Sequence, residues 1–217
     1  MTKLLIPKLI NDYAETYTSK ELPILASLNR ETNIKRGDAV MLSGAHQGAF
    51  LQMISQMIRP KRILEIGTFT GYSAICLAQG LDSGGHLLTI EVDEELKSIA
   101  SKYFDETGLT DQITQYIGDA VDIIPSITGK FDLVFIDADK PNYGLYYDLV
   151  FDKITVGGYI IADNVLYDGE VVLPDNEQGK NAKAISAFNK KISHDMRIEH
   201  VLIPLRDGIM VIRKIMD

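Results

Sequence analysis

The sequence of 217 residues has a single cysteine, Cys76. Without a second cysteine there is no intrachain disulfide and no Cys-rich zinc site, and a reducing cytoplasm is the simplest compartment. Long apolar runs are missing as well. No stretch approaches the ~20 apolar residues of a membrane span. The N-terminal MTKLLIPKLINDYAETYTSK has only the short run Leu4 to Pro7 before Lys8 and lacks the apolar core and cleavage site of a secretory signal. Positive charge is in deficit. Lys and Arg total 22 against 30 Asp and Glu, a formal net charge of -8, so DNA or another polyanion meets net repulsion. Repeats, low-complexity tracts and Pro/Gly/Ser linkers are also absent. The expectation is one soluble domain spanning 1–217, with no membrane and no DNA partner.

What the sequence does contain is an alternation of short apolar runs and helical patterns. Residues 62–66 (RILEI), 87–92, 131–136 (FDLVFI) and 158–162 are short and rich in branched residues, as strands buried on both faces should be. Between them, 71–80, 93–107, 119–127 and 142–153 suit helices. This order predicts an α/β fold, a parallel sheet with helices on both faces. Residues 8–33 and 45–58 read as helices before the first strand, a helical cap over 1–58. After a helix near 179–194, RIEHVLIPL and IMVIRKI flank Arg206, Asp207 and Gly208 and predict an antiparallel hairpin at one sheet edge. Sheets of this kind bind ligands beyond the carboxyl ends of their strands.

The first such end is Gly67-Thr68-Phe69-Thr70-Gly71-Tyr72-Ser73, which opens into a helix. Glycines permit a tight turn and close approach of a ligand, and a helix N-terminus presents unpaired N–H groups. The spacing is not G-x-G-x-x-G, which disfavours NAD and an oxidoreductase. Glu65, just before the turn, suits an ammonium group. Glu91, closing the next strand, suits both hydroxyls of a ribose. Amino acid at one end and nucleoside at the other describe S-adenosylmethionine. Taken alone, the glycines fit a plain turn equally well.

The second end is acidic. FDLVFIDADK places Asp137, Asp139 and Lys140 after one strand, and YIIADNVLYDG places Asp163 and Asn164 after its expected neighbour, ~4.8 Å away. Asp137, Asp163 and Asn164 offer three oxygen donors to a hard divalent cation, with Mg²⁺ the first choice. The histidines His46, His86, His194 and His200 show no zinc-type spacing. Any one of these acids alone reads better as a helix cap; two clusters on adjacent strand ends, with a lysine beside the first, favour the metal. His46 and Cys76 have no visible partner and read as structural.

Five ordered segments, MLSGAHQGAFL (41–51), LEIGTFTGYS (64–73), FDLVFIDADKPNYGLYY (131–147), GGYIIADNVLYDGEV (157–171) and RDGIMVIRK (206–214), resemble the cation-dependent O-methyltransferases that include caffeoyl-coenzyme A and catechol O-methyltransferases. The resemblance runs from about Met41 to the C-terminus. It implies a single-domain, Rossmann-like class I methyltransferase with a mostly parallel seven-stranded sheet, an antiparallel C-terminal hairpin and extra N-terminal helices. It also implies a homodimer. Carried over, Ser43, Glu65, Gly67, Thr68, Ser73, Glu91, Ala120, Asp139 and Tyr146 fall at cofactor positions and Asp137, Asp163 and Asn164 at metal ligands. Lys140 falls at the general base, paired in catalysis with Asp137, and Asp168 and Asp207 at substrate contacts. Glu91 stands where the family often has aspartate, and Tyr167 where plant members have tryptophan. The segment before 41 and region 170–182 vary between subfamilies and border the acceptor pocket.

The resulting expectation is an S-adenosylmethionine- and Mg²⁺-dependent O-methyltransferase acting on a small aromatic vicinal diol. Methylation of a hydroxylated tRNA base is the competing enzyme reading, disfavoured by the net charge, and a nucleotide-binding module without turnover is the competing non-enzyme reading.

Overall fold

The computed structural model describes residues 6–217. The first five residues, which hold the start of the expected cap and of the Leu4 to Pro7 run, lie outside the described residues. The helical cap has a break. Helix α1 (Lys8–Thr16) and helix α2 (Pro23–Lys35) are separate, with Pro23 in the first turn of α2, where its missing N–H costs nothing. Helix α3 (Gly44–Ile58) leads to the first strand.

The strands and helices that follow are β1 (Arg62–Ile66), α4 (Tyr72–Ala78), β2 (His86–Glu91), α5 (Lys97–Glu106), β3 (Ile113–Ile117), α6 (Ala120–Ser126), β4 (Phe131–Ile136), α7 (Tyr143–Phe151), β5 (Ile154–Ala162), α8 (Lys180–His194), β6 (Ile198–Ile203) and β7 (Ile209–Lys214). They form one seven-stranded sheet in the order β3-β2-β1-β4-β5-β7-β6. The first five strands in that order run parallel. Strand β7 pairs antiparallel with both β5 and β6, which is the expected C-terminal hairpin.

Alternating side chains of the central strands feed two cores, as the two-residue period of a strand requires. Leu64, Ile66, Val134, Ile136 and Ile160 pack with Tyr143, Tyr147, Phe188 and Ile192 on one face. On the other, Ile63, Leu133, Phe135 and Ile161 pack with Leu28, Leu51, Tyr72 and Ile75. Sequential strands depart in opposite directions from the β1–β4 pair, so the crevice beyond their carboxyl ends is where ligand chemistry is expected. Among the described residues no helix is long and apolar enough to cross a membrane.

Two details differ from the sequence reading. Strand β3, ITQYI, is absent from the apolar runs because it is an edge strand with only its first residue buried. Strand β5 begins at Ile154, four residues early, with a register shift opposite Phe131 to Leu133 that absorbs Gly157 and Gly158.

Candidate active site

The glycine turn after β1 is fixed by the protein's own backbone. A Cβ on Gly67, at φ +98°, would stand 1.9 Å from the Asp137 carbonyl oxygen, and one on Gly71, at φ +93°, would stand 2.8 Å from the Phe104 ring. Both glycines are thus required by internal packing, and the close approach at Gly67 is made by the chain itself rather than left open for a ligand. Phe69 also sits in the left-handed region, at φ 48°. Its N–H donates to Glu91 Oε2 at 2.7 Å, while the Asp93 N–H donates to Glu91 Oε1 at 2.9 Å. Glu91 therefore clamps the turn, and each of its oxygens retains a second lone pair.

Glu65 is fully buried at the end of β1. The parallel register sets it beside Thr89, whose hydroxyl donates to Glu65 Oε2 at 2.5 Å and is itself 2.5 Å from the Thr68 hydroxyl. Among the described residues Glu65 Oε1 accepts no hydrogen bond within 3.5 Å. Burial pushes this carboxyl up to about 8, against the opposing pull of the Ser73 and Thr89 hydroxyls. A buried acceptor without a donor is costly, and a cationic donor could satisfy this oxygen.

Ser43, Thr68, Ser73 and Ala120 are all buried, Thr68 and Ser73 in and just after the turn that follows β1. Ser43 presents its carbonyl to Arg206, and Ala120 opens α6 beneath an Asp119 side-chain cap. Asp139 and Tyr146 find each other: the Tyr146 hydroxyl donates to Asp139 Oδ1, and Asn142 donates to Asp139 Oδ2 at 2.8 Å.

The acidic residues meet as their strands dictate. Ile136 pairs with Ala162, so Asp137 and Asp163 follow side by side, each tied by its N–H to the preceding strand. Asp163 is buried, and burial followed by the charge of Asp137 raises its carboxyl. Asn164, at φ 55°, donates its backbone N–H to Asp163 Oδ1. Lys140 Nζ lies 3.1 Å from Asp137 Oδ1 and 2.8 Å from the Tyr143 hydroxyl, which donates to the Asp163 carbonyl. Burial alone would lower this amine, yet Tyr143 and Asp137 outweigh it and hold the ammonium form. Asp207 accepts the Asp168 N–H at 2.6 Å, and burial raises its carboxyl; among the described residues Asp168 Oδ1 is buried without a partner.

Among the described residues no three His, Cys, Asp or Glu side chains stand together as a metal-binding group. The expected donor set contains two carboxylates and the Asn164 amide, so it differs in kind from such a group.

Three neighbours were not anticipated from the sequence. Gln47 donates to Asp163 at 2.7 Å, Arg206 donates to Gln47, and Tyr143 links Lys140 to the Asp163 backbone. Gln47 and Tyr143 lie inside helices, where nothing in the sequence separates them from core positions. His46 and Cys76, read as structural, line a cavity of about 490 Å³ between α3, α4 and the 17–21 linker. No residue of the acidic cluster lines it, and burial pushes the Cys76 thiol up.

With this geometry, known proteins supply the class. An O-methyltransferase family model matches residues 15–215. The chain belongs to the O-methyltransferase family, and its class of enzyme is the expected S-adenosylmethionine-dependent O-methyltransferase. In particular, it is 37% identical over 164 residues to the catechol O-methyltransferase of Niastella koreensis, covering 74% of each chain. It is 34% identical over 196 residues to caffeoyl-CoA O-methyltransferase 1 of Eucalyptus globulus, covering 86% of this chain and 80% of the relative. Among solved structures it is similar to the SAH-bound methyltransferase PaMTH1 of Podospora anserina, with a TM-score of 0.88, 27% identity and coverage of 97% and 98% of the two chains.

Proposed function

We propose that the chain transfers a methyl group from S-adenosylmethionine to one hydroxyl of a catechol-type vicinal diol, with a divalent cation, Mg²⁺ first, held by Asp137, Asp163 and Asn164. The observation that carries this reading is the pairing of one unmet acceptor with two crowded carboxylates at neighbouring strand ends. Glu65 Oε1 is buried without a donor, and Asp137 and Asp163 press two carboxylates together. The first suits an ammonium. The second suits a dication, whose hard-oxygen preference the amide of Asn164 also meets.

When bound, the sulfonium donor supplies an electrophilic methyl group with a neutral sulfide leaving group, and the cation supplies polarisation of the acceptor oxygen. The chain's own residues do the rest. Glu65 receives the amino end of the donor, and Glu91 uses its spare lone pairs for ribose hydroxyls. Thr68, Ser73, Ser43 and the start of α6 at Ala120 line the space between. Gly67 belongs here through its turn. Asp139 and Tyr146 form the wall on the β4 side. Asp168 and Asp207, on facing loops, lie where an acceptor would be held. Lys140 takes the phenolic proton at Nζ only as the neutral amine, so Asp137 must first release it from the ion pair that now keeps it charged and the ammonium proton must pass to solvent. Holding the reacting atoms in line is worth ~7 kcal/mol or more in favourable models. A cytoplasmic homodimer is part of the same reading and rests on composition and family resemblance.

The experiment is transfer of label from S-adenosylmethionine with Mg²⁺ to a panel of catechols, caffeoyl-coenzyme A and bulk tRNA. Labelled catechol or caffeoyl product is the expected result. Label in tRNA alone would replace the acceptor, and label in none would remove this reading.

A further inference from the structure

We propose that Gln47 and Arg206 form a relay that fixes the direction of the Asp163 carboxylate, as positioning residues for the cation. This rests on the reading of Asp137, Asp163 and Asn164 as the cation site. Gln47 is 1% exposed on α3, and its Nε2 donates to Asp163 Oδ2 at 2.7 Å, across 116 residues of sequence. Its Oε1 accepts from Arg206 Nη1 at 3.1 Å. A guanidinium can only donate and a carboxylate can only accept, so the amide between them has one permitted orientation. Freed from Arg206, the amide could turn its oxygen toward Asp163 and repel it.

Arg206 is an expensive way to close a turn. It lies at φ 50° in the left-handed region, where a side chain is disfavoured, between Leu205 and Asp207 on the β6–β7 connection. Its cationic head sits at the start of α3, the positive end of that helix. Both penalties are met by contacts with the Leu42 and Ser43 carbonyls and with Gln47. Glycine at this position would relieve the backbone and cap the same turn, so the guanidinium's contacts are what the position retains. The effect at Asp163 is a carboxylate with Oδ2 engaged by Gln47 and Oδ1 by the Asn164 N–H. Its remaining lone pairs are thereby aimed in a fixed direction. Supporting groups of this kind typically change cation affinity by ~10- to 100-fold.

The test is Mn²⁺ binding to the full chain, measured by electron paramagnetic resonance of the free ion, alongside calorimetry of S-adenosylmethionine binding. Gln47→Leu and Arg206→Gly should each weaken Mn²⁺ binding ~10-fold, with cofactor affinity as in the wild type. The double variant should be no weaker than Gln47→Leu alone, because Arg206 acts through Gln47. Arg206→Lys, which keeps one donor, should fall between. Wild-type Mn²⁺ affinity in Gln47→Leu, or losses that add in the double variant, would overturn the relay. Should Gln47→Leu also lose the cofactor, Gln47→Met repeats the measurement, and loss in both makes Gln47 a packing residue and overturns the proposal. A wild-type chain that binds no Mn²⁺ removes the cation site, and the relay with it, before any substitution is made.

Discussion

The two halves of the candidate site satisfy their charges differently. At the ends of β1 and β2, polar groups are consumed by backbone and hydroxyl contacts, and one oxygen, Glu65 Oε1, is left over. At the ends of β4 and β5, carboxylates are balanced by movable side chains, Lys140 on Asp137 and Gln47 on Asp163. On the proposed reading the first half is preformed and offers one unpaired acceptor to a cation-bearing ligand. On the same reading the second would have to exchange partners to hold a cation, which would couple cation, acceptor and base.

That contrast breaks most visibly on removal of the cation. EDTA treatment, or Asp163→Ala, should lower turnover ~10² to 10³ by removing several kcal/mol of charge stabilisation, while calorimetry shows cofactor affinity little changed. Full activity in rigorously metal-free protein would make the two halves alike.

Next in size is Lys140. Lys140→Met should lower turnover with catechol by ~10², the usual contribution of a general base. The loss should shrink for nitrocatechol, whose phenol is already ionised. Equal losses in initial-rate assays would make Lys140 an electrostatic or positioning group.

A smaller effect isolates the preformed half. Glu65→Gln should weaken S-adenosylmethionine binding by ~1 to 3 kcal/mol, the worth of a hydrogen bond to a charged group. The pH dependence has a definite sign. In the free protein burial raises the Glu65 carboxyl to about 8, so at pH 7 it is mostly protonated, whereas the ammonium selects the carboxylate. Binding should release close to one proton at pH 7. Affinity should rise as pH approaches 8 and level off above it, with both effects lost in Glu65→Gln. Calorimetry in two buffers of different ionisation enthalpy measures the proton; no release at pH 7 would contradict the role.

The smallest expected change is at Tyr146, a buried side chain whose hydroxyl is bonded to the exposed Asp139. Tyr146→Phe should cost cofactor binding ~0.5 to 1.5 kcal/mol, checked by the same titration; a loss as large as that of Glu65→Gln would move the boundary between the halves.

How legible these features were follows from their physics. Buried parallel strands announce themselves as apolar runs, so β1, β4 and the end of β5 were readable, and with them the carboxylates that terminate each strand. Strand β3 was not, because a half-exposed edge needs no apolar run. The glycine turn was visible in the sequence, but its cause was not: only the fold brings the Asp137 carbonyl against Gly67. Gln47 and Arg206 lie 116 and 43 residues from Asp163, and a polar side chain inside a helix or a turn carries no local mark of what it touches. The break at Tyr17 to Leu22 could have been placed from Pro23, which favours the first turn of a helix.

The division between a preformed cofactor half and an exchanging acceptor half is tested most directly by titrating catechol into the S-adenosylhomocysteine-loaded protein, once with Mg²⁺ and once with EDTA. Catechol should bind only with Mg²⁺, while the cofactor binds equally well in both. Equal catechol affinity in the two conditions would contradict the division.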